Sequence, residues 1–261
     1  MKTIQEDWNR MAEAYEEFNA AADSYSCNIE WPAIRGMLPP VEGKRVLDVG
    51  CGTGIFTFLL EGCRPRTLVG LDLSEAMLGL AREKAARRGS AAAFVLGDAA
   101  RADAYVQGVF DLIFSSTTSH YIRDLNGFFR SLERCMADGG CMIFSIIHPV
   151  YSAMYPVEHG ERFPEDEAWQ IRYLDRRDRA YIQPWIEYND HYENRLSRSC
   201  HHTLGDYFAA IHAAGLWVER LEEPLPPEGW RADSPERYEG YIETPVYMLL
   251  KLRRRGEKES G

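Results

Sequence analysis

An α/β fold with a doubly wound, mostly parallel sheet is predicted by three observations. Short apolar runs alternate with helical patterns from residue 44 to residue 148, as in strands joined by crossover helices. A glycine-rich turn, DVGCGTG at residues 48–54, follows the first apolar run. The second run, residues 67–72, ends on Asp72. A strand, a glycine turn, a helix and a second strand ending in an acid form a nucleoside-binding half-fold.

The chain has 261 residues, enough for one large α/β domain with a substantial core. We predict a helical lid over residues 1–42 and a main domain over residues 43–252. An aromatic-rich insertion at residues 149–202 interrupts that domain, and residues 253–261 form a polar tail.

The N-terminal segment predicts two helices. Apolar residues recur at helical spacing between residues 4 and 18. This helix either packs on the core or covers a ligand site as a lid, and the pattern does not separate the two. A second helix is predicted over residues 28–37, ended by Pro39 and Pro40.

The alternating segment predicts five strands and three helices. Ser74 and Asp124 are suitable N-caps for two of the helices, and the first helix covers residues 54–62. Residues 138–140 (DGG) predict a turn into the fifth strand. The strands are predicted at residues 44–49, 67–72, 92–96, 110–115 and 141–148.

Residues 149–202 break the alternation. A segment of this length within a compact domain usually has its own structure or function. We predict a cap over the active site, with a hairpin around Arg176 to Arg179; a small satellite core is the alternative, and both can hold at once. The aromatic residues concerned are Tyr151, Tyr155, Phe163, Trp169, Tyr173, Tyr181, Trp185, Tyr188 and Tyr192.

Regular structure resumes at Thr203, an N-cap with Asp206 three residues later. Gly215 is placed to end this helix. Residues 216–222 and 245–252 predict two closing strands.

The glycine spacing narrows the class of ligand. A dinucleotide fingerprint requires G-x-G-x-x-G, but the third position here is Ile55, and the pattern is D-x-G-x-G-x-G. No G-x-x-x-x-G-K-[ST] phosphate loop occurs. Alternate glycines allow close approach of the backbone to a ligand and are expected to leave amides free at the helix start.

Four motifs in order resemble those of the class I S-adenosylmethionine-dependent methyltransferases. They are DVGCGTG, LVGLDLSEAML (residues 68–78), LGDA (96–99) and FDLIFSS (110–116). The resemblance covers residues 43–148 and 203–252. It implies a seven-stranded sheet with an antiparallel last strand, S-adenosylmethionine as cofactor and S-adenosylhomocysteine as product.

The resemblance also implies a cofactor site. Asp72 would accept the ribose hydroxyls, Asp98 would hydrogen-bond the adenine amino group, and Ala99 would offer its backbone amide. Leu73 and Met77 would pack on the adenine, although a core role is nearly as well supported for both. The remaining predicted residues are Tyr15 and Tyr25 from the N-terminal segment, Asp48, Gly50, Cys51 and Gly52 of the turn, and Ser115, whose carbonyl would meet the methionine end.

Candidate catalytic groups are four histidines at or near the ends of predicted strands. A neutral imidazole can take a proton from a hydroxyl, an amine or an activated carbon. For any single histidine a structural role is the better interpretation, and His148 is slightly favoured as a base. In a subset of bacterial members that this chain resembles, an arginine is common where His202 stands. The candidates are His120, His148, His201 and His202.

Composition excludes several function classes. The net charge of −10 and the pI of about 5.3 disfavour a nucleic-acid substrate. No signal peptide and no apolar run long enough to span a bilayer is present. The six cysteines form no C-x-x-C pair and the histidines no H-E-x-x-H motif, so no metal site is predicted. We therefore expect a cytoplasmic monomer or homodimer.

The leading hypothesis is an S-adenosylmethionine-dependent methyltransferase. It would transfer a methyl group, by in-line displacement, to O, N or C of a small aromatic or heterocyclic acceptor. An S-adenosylmethionine-binding sensor or partner subunit without methyl transfer is the first alternative. An RNA methyltransferase is the second; the negative charge and the absence of an added RNA-binding module disfavour it.

Overall fold

The computed structural model describes residues 4–19, 24–155, 171–182 and 196–256. Strands within these ranges are β1 (Arg45–Val49), β2 (Thr67–Asp72), β3 (Ala93–Leu96), β4 (Phe110–Ser116), β5 (Met136–Ile147), β6 (Arg179–Ile182), β7 (Leu196–Ser199), β8 (Leu216–Glu222) and β9 (Tyr247–Arg254). The α-helices there are α1 (Ile4–Asn19), α2 (Trp31–Met37), α3 (Ile55–Glu61), α4 (Glu75–Arg88), α5 (Leu125–Arg134), α6 (Pro149–Ser152), α7 (Leu204–Ala213), α8 (Trp230–Asp233) and α9 (Pro235–Glu243).

A seven-stranded sheet in the order β3-β2-β1-β4-β5-β9-β8 confirms the predicted fold class. β1, β2, β3, β4 and β5 pair in parallel. β9 runs antiparallel to both β5 and β8, so the predicted antiparallel last strand is confirmed, and it lies inside the sheet with β8 at the edge.

Hydrophobic cores cover the sheet on both faces because side chains alternate along each strand. On β4, Ile113 joins the core that includes Phe128 and Phe129 of α5. Its neighbours Leu112 and Phe114 join the opposite core, with α2, α3 and α9. Two-sided burial explains why the central strands are nearly continuous apolar runs.

The predicted turn at residues 138–140 is wrong. β5 begins at Met136 and continues through this segment. Met136 pairs with Phe110 and Cys141 with Leu112, so β5 advances five residues while β4 advances two. The additional residues form an irregularity within the strand, and Gly139 adopts a left-handed φ of 70° there.

The predicted hairpin around Arg176 to Arg179 is also wrong, because β6 pairs antiparallel with β7 instead. The Arg179 side chain is fully buried and donates to the carbonyls of Arg172, Asp175 and Arg177. The preceding loop wraps around this guanidinium, since a buried cation requires acceptors.

α1 docks beside the carboxyl end of β2. Gln5 Nε2 donates to the carbonyl of Leu73 at 2.9 Å, and Ser74 Oγ donates to Asn9 Oδ1 at 2.7 Å. Arg198 of β7 forms an ion pair with the buried Asp7 of α1 at 3.0 Å. The N-terminal helix therefore joins the main sheet to the β6–β7 ribbon.

Described aromatic residues of the 149–202 insertion pack within the fold. The rings of Tyr151 and Tyr155 lie edge to face, 5.5 Å apart. The Tyr173 hydroxyl accepts a hydrogen bond from the amide of Leu204 at 2.9 Å. The predicted cap residues Phe163, Trp169, Trp185, Tyr188 and Tyr192 lie outside the described residues, as does the side chain of Tyr181. The division into lid, domain, cap and tail remains a prediction.

The helices of the described ranges include none with the length and apolarity needed to cross a membrane. All six cysteines are free thiols.

Candidate functional site

The glycine turn between β1 and α3 has a backbone that favours glycine. Gly50, Gly52 and Gly54 have φ angles of 72°, 53° and 85°, in the left-handed region that strains other residues. A Cβ on Gly50 would lie 1.9 Å from Thr118 Oγ1. The turn is therefore fixed both by its conformation and by close packing on the loop after β4.

Four amides of the turn are bonded within the protein, and that of Gly54, at the start of α3, is among them, so at this residue the predicted free amide is wrong. The amides of Gly50 and Cys51 donate to the carbonyl of Leu71 at 2.7 and 3.1 Å, and that of Gly54 donates to Cys51. The Gly52 amide donates to a carboxylate, Asp72. These bonds tie the turn to the end of β2 because buried amides need acceptors.

Asp72 joins two backbone segments through its two carboxylate oxygens. Oδ2 accepts from the Gly52 amide and Oδ1 from the Ser74 amide, each at 2.8 Å. Burial raises the pKa of Asp72, although the two backbone amides partly offset the rise. An ionised carboxylate has about four acceptor positions, so each oxygen keeps one for a ligand.

Asp48, at the fourth position of β1, is a buried carboxyl. Its Oδ2 accepts from the Thr57 hydroxyl of α3 at 2.5 Å. Burial raises its pKa to about 7, the Thr57 bond lowers it, and the Asp72 charge adds to the rise. An anion at Asp48 is therefore costly until a cation or further donors arrive.

The other predicted cofactor residues divide by exposure. The Leu73 side chain is 37% exposed, whereas Met77 and Cys51 are buried. Asp98 caps the short 3₁₀ helix at residues 99–104 by accepting from the Ala100 amide at 2.9 Å, and Ala99 is buried at its start.

Ser115 and the loop after β4 approach the turn from the other side. Ser115 Oγ donates to the carbonyl of Val49 at 2.8 Å. Thr117, which no sequence pattern indicated, has a φ of 46°, and its amide donates to the carbonyl of Ser145. A non-glycine residue in this conformation is strained, and such strain is often found at ligand sites.

An aromatic row connects α1 to the loop after β4. Trp8 lies edge to face with Tyr15 at 5.5 Å and with Tyr121 at 5.3 Å. Tyr15 Cε1 lies 3.8 Å from the position of a Cβ on Gly52. The structure therefore brings the predicted Tyr15 to the turn.

Tyr25 lies elsewhere, against the C-terminal helices. Its ring packs on Trp230 at 5.6 Å and on Tyr241 at 5.8 Å, beneath the guanidinium of Arg237. No contact of the Tyr25 ring with the glycine turn is seen among the described residues.

Two of the candidate histidines are hydrogen-bonded through both ring nitrogens. His148 Nδ1 accepts from the Val150 amide at 3.1 Å, so Nε2 carries the proton and lies 2.9 Å from Glu223 Oε1. His201 donates from Nε2 to the Tyr173 carbonyl at 2.8 Å and accepts at Nδ1 from Ser152 Oγ at 2.9 Å. Neither imidazole therefore has a free lone pair that could take a proton from a methyl-accepting substrate.

The other two histidines stay neutral. His202 donates from Nε2 to the Ile122 carbonyl at 2.8 Å, and burial lowers its pKa. His120 is buried, and its Nδ1 has no partner among the described residues. Burial lowers the pKa of His120 to about 3. A base with so low a pKa holds a proton poorly near neutral pH.

Glu30 is a buried carboxyl that sequence reasoning missed. It ends a π-helical turn at residues 26–30 and is fully buried. Ser116 Oγ donates to its Oε1, while its Oε2 has no partner in the described part of the chain. Burial raises the pKa of Glu30 to about 7. The sequence signal was weak: a single acid before Trp31-Pro32 in a helical pattern.

No cluster of three or more histidine, cysteine or acidic side chains suitable for a metal occurs within the described ranges.

Methyltransferases recur among the known proteins that are similar to this chain. The family model described as "Methyltransferase domain" matches residues 40–186. A solved S-adenosylmethionine dependent methyltransferase from Mesorhizobium loti is 31% identical, with a TM-score of 0.66. That match covers 86% of this chain and 97% of the other.

Two curated relatives extend the comparison. An uncharacterized protein of Haemophilus influenzae is 26% identical over 263 residues, which cover 95% of this chain and 96% of that protein. The malonyl-[acyl-carrier protein] O-methyltransferase of Legionella pneumophila is 37% identical over 107 residues. Those residues cover 41% of this chain and 37% of that enzyme.

Proposed function

The chain belongs to the S-adenosylmethionine-dependent methyltransferase family, and from this premise we propose that it methylates a small-molecule acceptor. S-adenosylmethionine is the cofactor. When bound, it supplies a methyl group already activated on a cationic sulfur. The remaining work of the protein is to bind, orient and desolvate both reactants.

One observation carries the proposal: three carboxyls, the buried Asp48 and Glu30 and the partly buried Asp72, adjoin the glycine turn and the loop after β4. Burial raises the pKa of each, and none forms an ion pair with a described lysine or arginine. Buried carboxylates without a partner are unfavourable. A cofactor with a sulfonium and an ammonium group supplies the missing positive charge, so the residues present fit this group.

Each residue then has a definite task. Asp72 accepts the ribose hydroxyls with its remaining acceptor positions, Gly50 and Gly52 admit the methionine portion, and Asp48 orients the turn. The exposed Leu73 side chain covers the adenine. Tyr15 closes the site from α1, which excludes water and strengthens the electrostatic interactions inside.

The acceptor that we propose is a small aromatic or heterocyclic metabolite rather than a nucleic acid. The net charge of −10 supports this, since a phosphate backbone would be repelled. The hydrogen bonds of His148 and His201 do not support a histidine base, and the neutral His120 offers little help.

Asp72→Ala tests the cofactor site by calorimetry with S-adenosylmethionine. We expect at least a 100-fold loss of affinity, because the variant removes the ribose acceptors and releases the Gly52 and Ser74 amides. Asp124→Ala is the matched control. It removes the acid that caps α5, which costs about 1 kcal/mol of stability without changing affinity. Unchanged affinity in Asp72→Ala would contradict the proposed ribose site.

Methyl transfer itself is tested with isotopically labelled S-adenosylmethionine and a panel of small phenols, amines and N-heterocycles. Labelled product and S-adenosylhomocysteine, detected by mass spectrometry, are the expected result. Tight cofactor binding with no product from any acceptor would favour the sensor alternative.

A further inference from the structure

Three buried polar groups without hydrogen-bond partners lie around one position at the carboxyl edge of the sheet. Among the described residues, Glu30 Oε2, Ser145 Oγ and the Tyr241 hydroxyl lack a partner. All three residues are at most 4% exposed. Ile29, next to Glu30 in the chain, belongs with Tyr241 to one buried apolar cluster, and the Glu30 charge raises the pKa of Tyr241. We call these three residues the Glu30 cluster.

The strands explain why hydroxyls face Glu30. Phe114 on β4 and Ile143 on β5 belong to the apolar core beneath α2 and α3. Two residues further along the same face, the paired positions are Ser116 and Ser145. The core face therefore becomes polar at its end, where a purely structural role would favour apolar residues.

The Glu30 cluster adjoins the proposed methyl-donor site. Ser116 bonds Glu30 through its hydroxyl, and its carbonyl accepts from Thr118 Oγ1 at 2.9 Å. The same Thr118 hydroxyl packs against Gly50 of the glycine turn. Burial raises the pKa of Tyr15, which contacts the turn, and the charges of Glu30 and Asp72 add to the rise.

Resting on the proposed function, we propose that the Glu30 cluster is the acceptor subsite and that Glu30 takes the proton of a hydroxyl- or amine-bearing acceptor. Ser145 and Tyr241 supply the remaining hydrogen bonds. The acceptor's heteroatom forms a bond to the methyl carbon while the carbon–sulfur bond breaks and its electron pair stays on sulfur. The acceptor's proton moves to Oε2 of Glu30 and later to solvent.

The surroundings of Glu30 suit this task. Titratable groups facing it are the hydroxyls of Tyr15, Tyr241 and Tyr247, each with a raised pKa, and they are neutral. The hydroxyls of Ser26, Ser116 and Ser145 lie near enough to Glu30 to lower its pKa, and of the three Ser116 is bonded to Oε1. With its pKa near 7, Glu30 is matched to proton transfer at neutral pH.

The same charge selects against one acceptor class. A carboxylate placed beside Glu30 would be repelled in a low-dielectric site. A neutral phenol or amine can donate to Oε2, and an ammonium group gains an ion pair. The subsite should therefore reject aromatic acids.

Calorimetry on the full chain saturated with S-adenosylhomocysteine tests this selection without turnover. The probes are benzylamine, phenol and benzoate, which share one ring. We expect benzylamine and phenol to bind at least tenfold more tightly than benzoate. Glu30→Gln, which keeps size and the Ser116 contact, should weaken benzylamine at least tenfold and strengthen benzoate.

Controls separate charge from folding. Glu13→Gln makes the same substitution at an exposed position of α1 and should leave all three affinities unchanged. Ser145→Ala should weaken phenol with little effect on the preference for amine over acid. Thermal melts check that Glu30→Gln is folded, as expected when a buried charge is removed.

The outcomes distinguish two failures. If S-adenosylhomocysteine does not bind the native protein, the proposed function fails first. If it binds but benzoate equals or exceeds benzylamine, or if neither benzylamine nor phenol binds, the acceptor subsite is overturned alone. Equal probe affinities in Glu30→Gln and the native protein would also overturn it.

Discussion

The two halves of the sheet's carboxyl edge hold their titratable groups in opposite conditions. Around β1 and β2, the buried Asp48 and the partly buried Asp72 have raised pKa values and remaining acceptor capacity. Beyond β5, His148 and His201 are buried imidazoles whose two ring nitrogens are already bonded. In the first half, charge and acceptor capacity are left for a ligand to satisfy, whereas in the second the hydrogen bonds of both imidazoles are made within the protein.

Whether its hydrogen bonds and charge are satisfied within the protein distinguishes a structural residue from a ligand-binding residue of the same polarity. A buried group whose hydrogen bonds are all made contributes to stability. A buried group with an unmet charge or acceptor lowers stability, and it remains in place where a ligand compensates. By this criterion Glu30 belongs with Asp48 and Asp72, although its contacts are with the end of β4 rather than with β1 and β2.

Gly50→Ala is the change with the largest expected effect on the first half. Its Cβ would overlap Thr118, and a left-handed alanine costs about 1–2 kcal/mol, with about 1–3 kcal/mol more for the overlap. We expect a loss of about 3 kcal/mol in the free energy of unfolding and no measurable S-adenosylmethionine binding. Denaturant titration and calorimetry measure the two effects.

Gly43 provides a matched control for this prediction. It has the same φ of 72°, but a Cβ added there would meet nothing within 4 Å. Gly43→Ala should therefore lose only the conformational contribution of about 1–2 kcal/mol and keep full affinity. Equal losses of affinity in the two variants would show that the turn's packing on Thr118 is unimportant.

Asp48→Asn tests the buried acid of the first half through the pH dependence of the free energy of unfolding. Because the pKa of Asp48 is raised to about 7 in the fold, the unfolded chain releases this proton first, and its contribution to stability falls as pH rises from about 4 to 7. The asparagine variant lacks this loss. We expect it to match the native protein near pH 4 and to exceed it at pH 8 by about 2–4 kcal/mol. A constant difference across this range in denaturant titrations would contradict the raised pKa.

Local patterns predicted much of this molecule. The caps at Ser74, Asp124 and Thr203 are confirmed, because a cap depends on residues three positions apart. The mostly parallel sheet was predicted from alternating βα units, and its seven strands and antiparallel last strand from the family resemblance; S-adenosylmethionine as cofactor is confirmed by the family.

What sequence reasoning missed depends on contacts between distant segments. Glu30 meets Ser116 across 86 positions, and nothing near Glu30 in sequence shows that it is buried. The partner of β6 was misassigned because the nearby arginines suggested a tight turn. In the fold, the buried Arg179 instead donates hydrogen bonds to the carbonyls of the preceding loop. Likewise, only the structure shows that His148 has partners on both sides of its ring.

His148→Ala has the smallest expected effect and tests the second half directly. The variant removes the acceptor of the Val150 amide at the start of α6, so we expect a loss of about 1 kcal/mol in unfolding free energy. S-adenosylmethionine affinity should not change, and neither should turnover on any acceptor found in the screen.

Glu223→Ala is the control. It removes the partner on the other ring nitrogen and, because that carboxylate is exposed, should lower the free energy of unfolding by less than His148→Ala does. A general base would instead lose about 100- to 10,000-fold in turnover on removal. A loss of turnover of that size in His148→Ala, absent from Glu223→Ala, would contradict the structural role and assign His148 to the reaction.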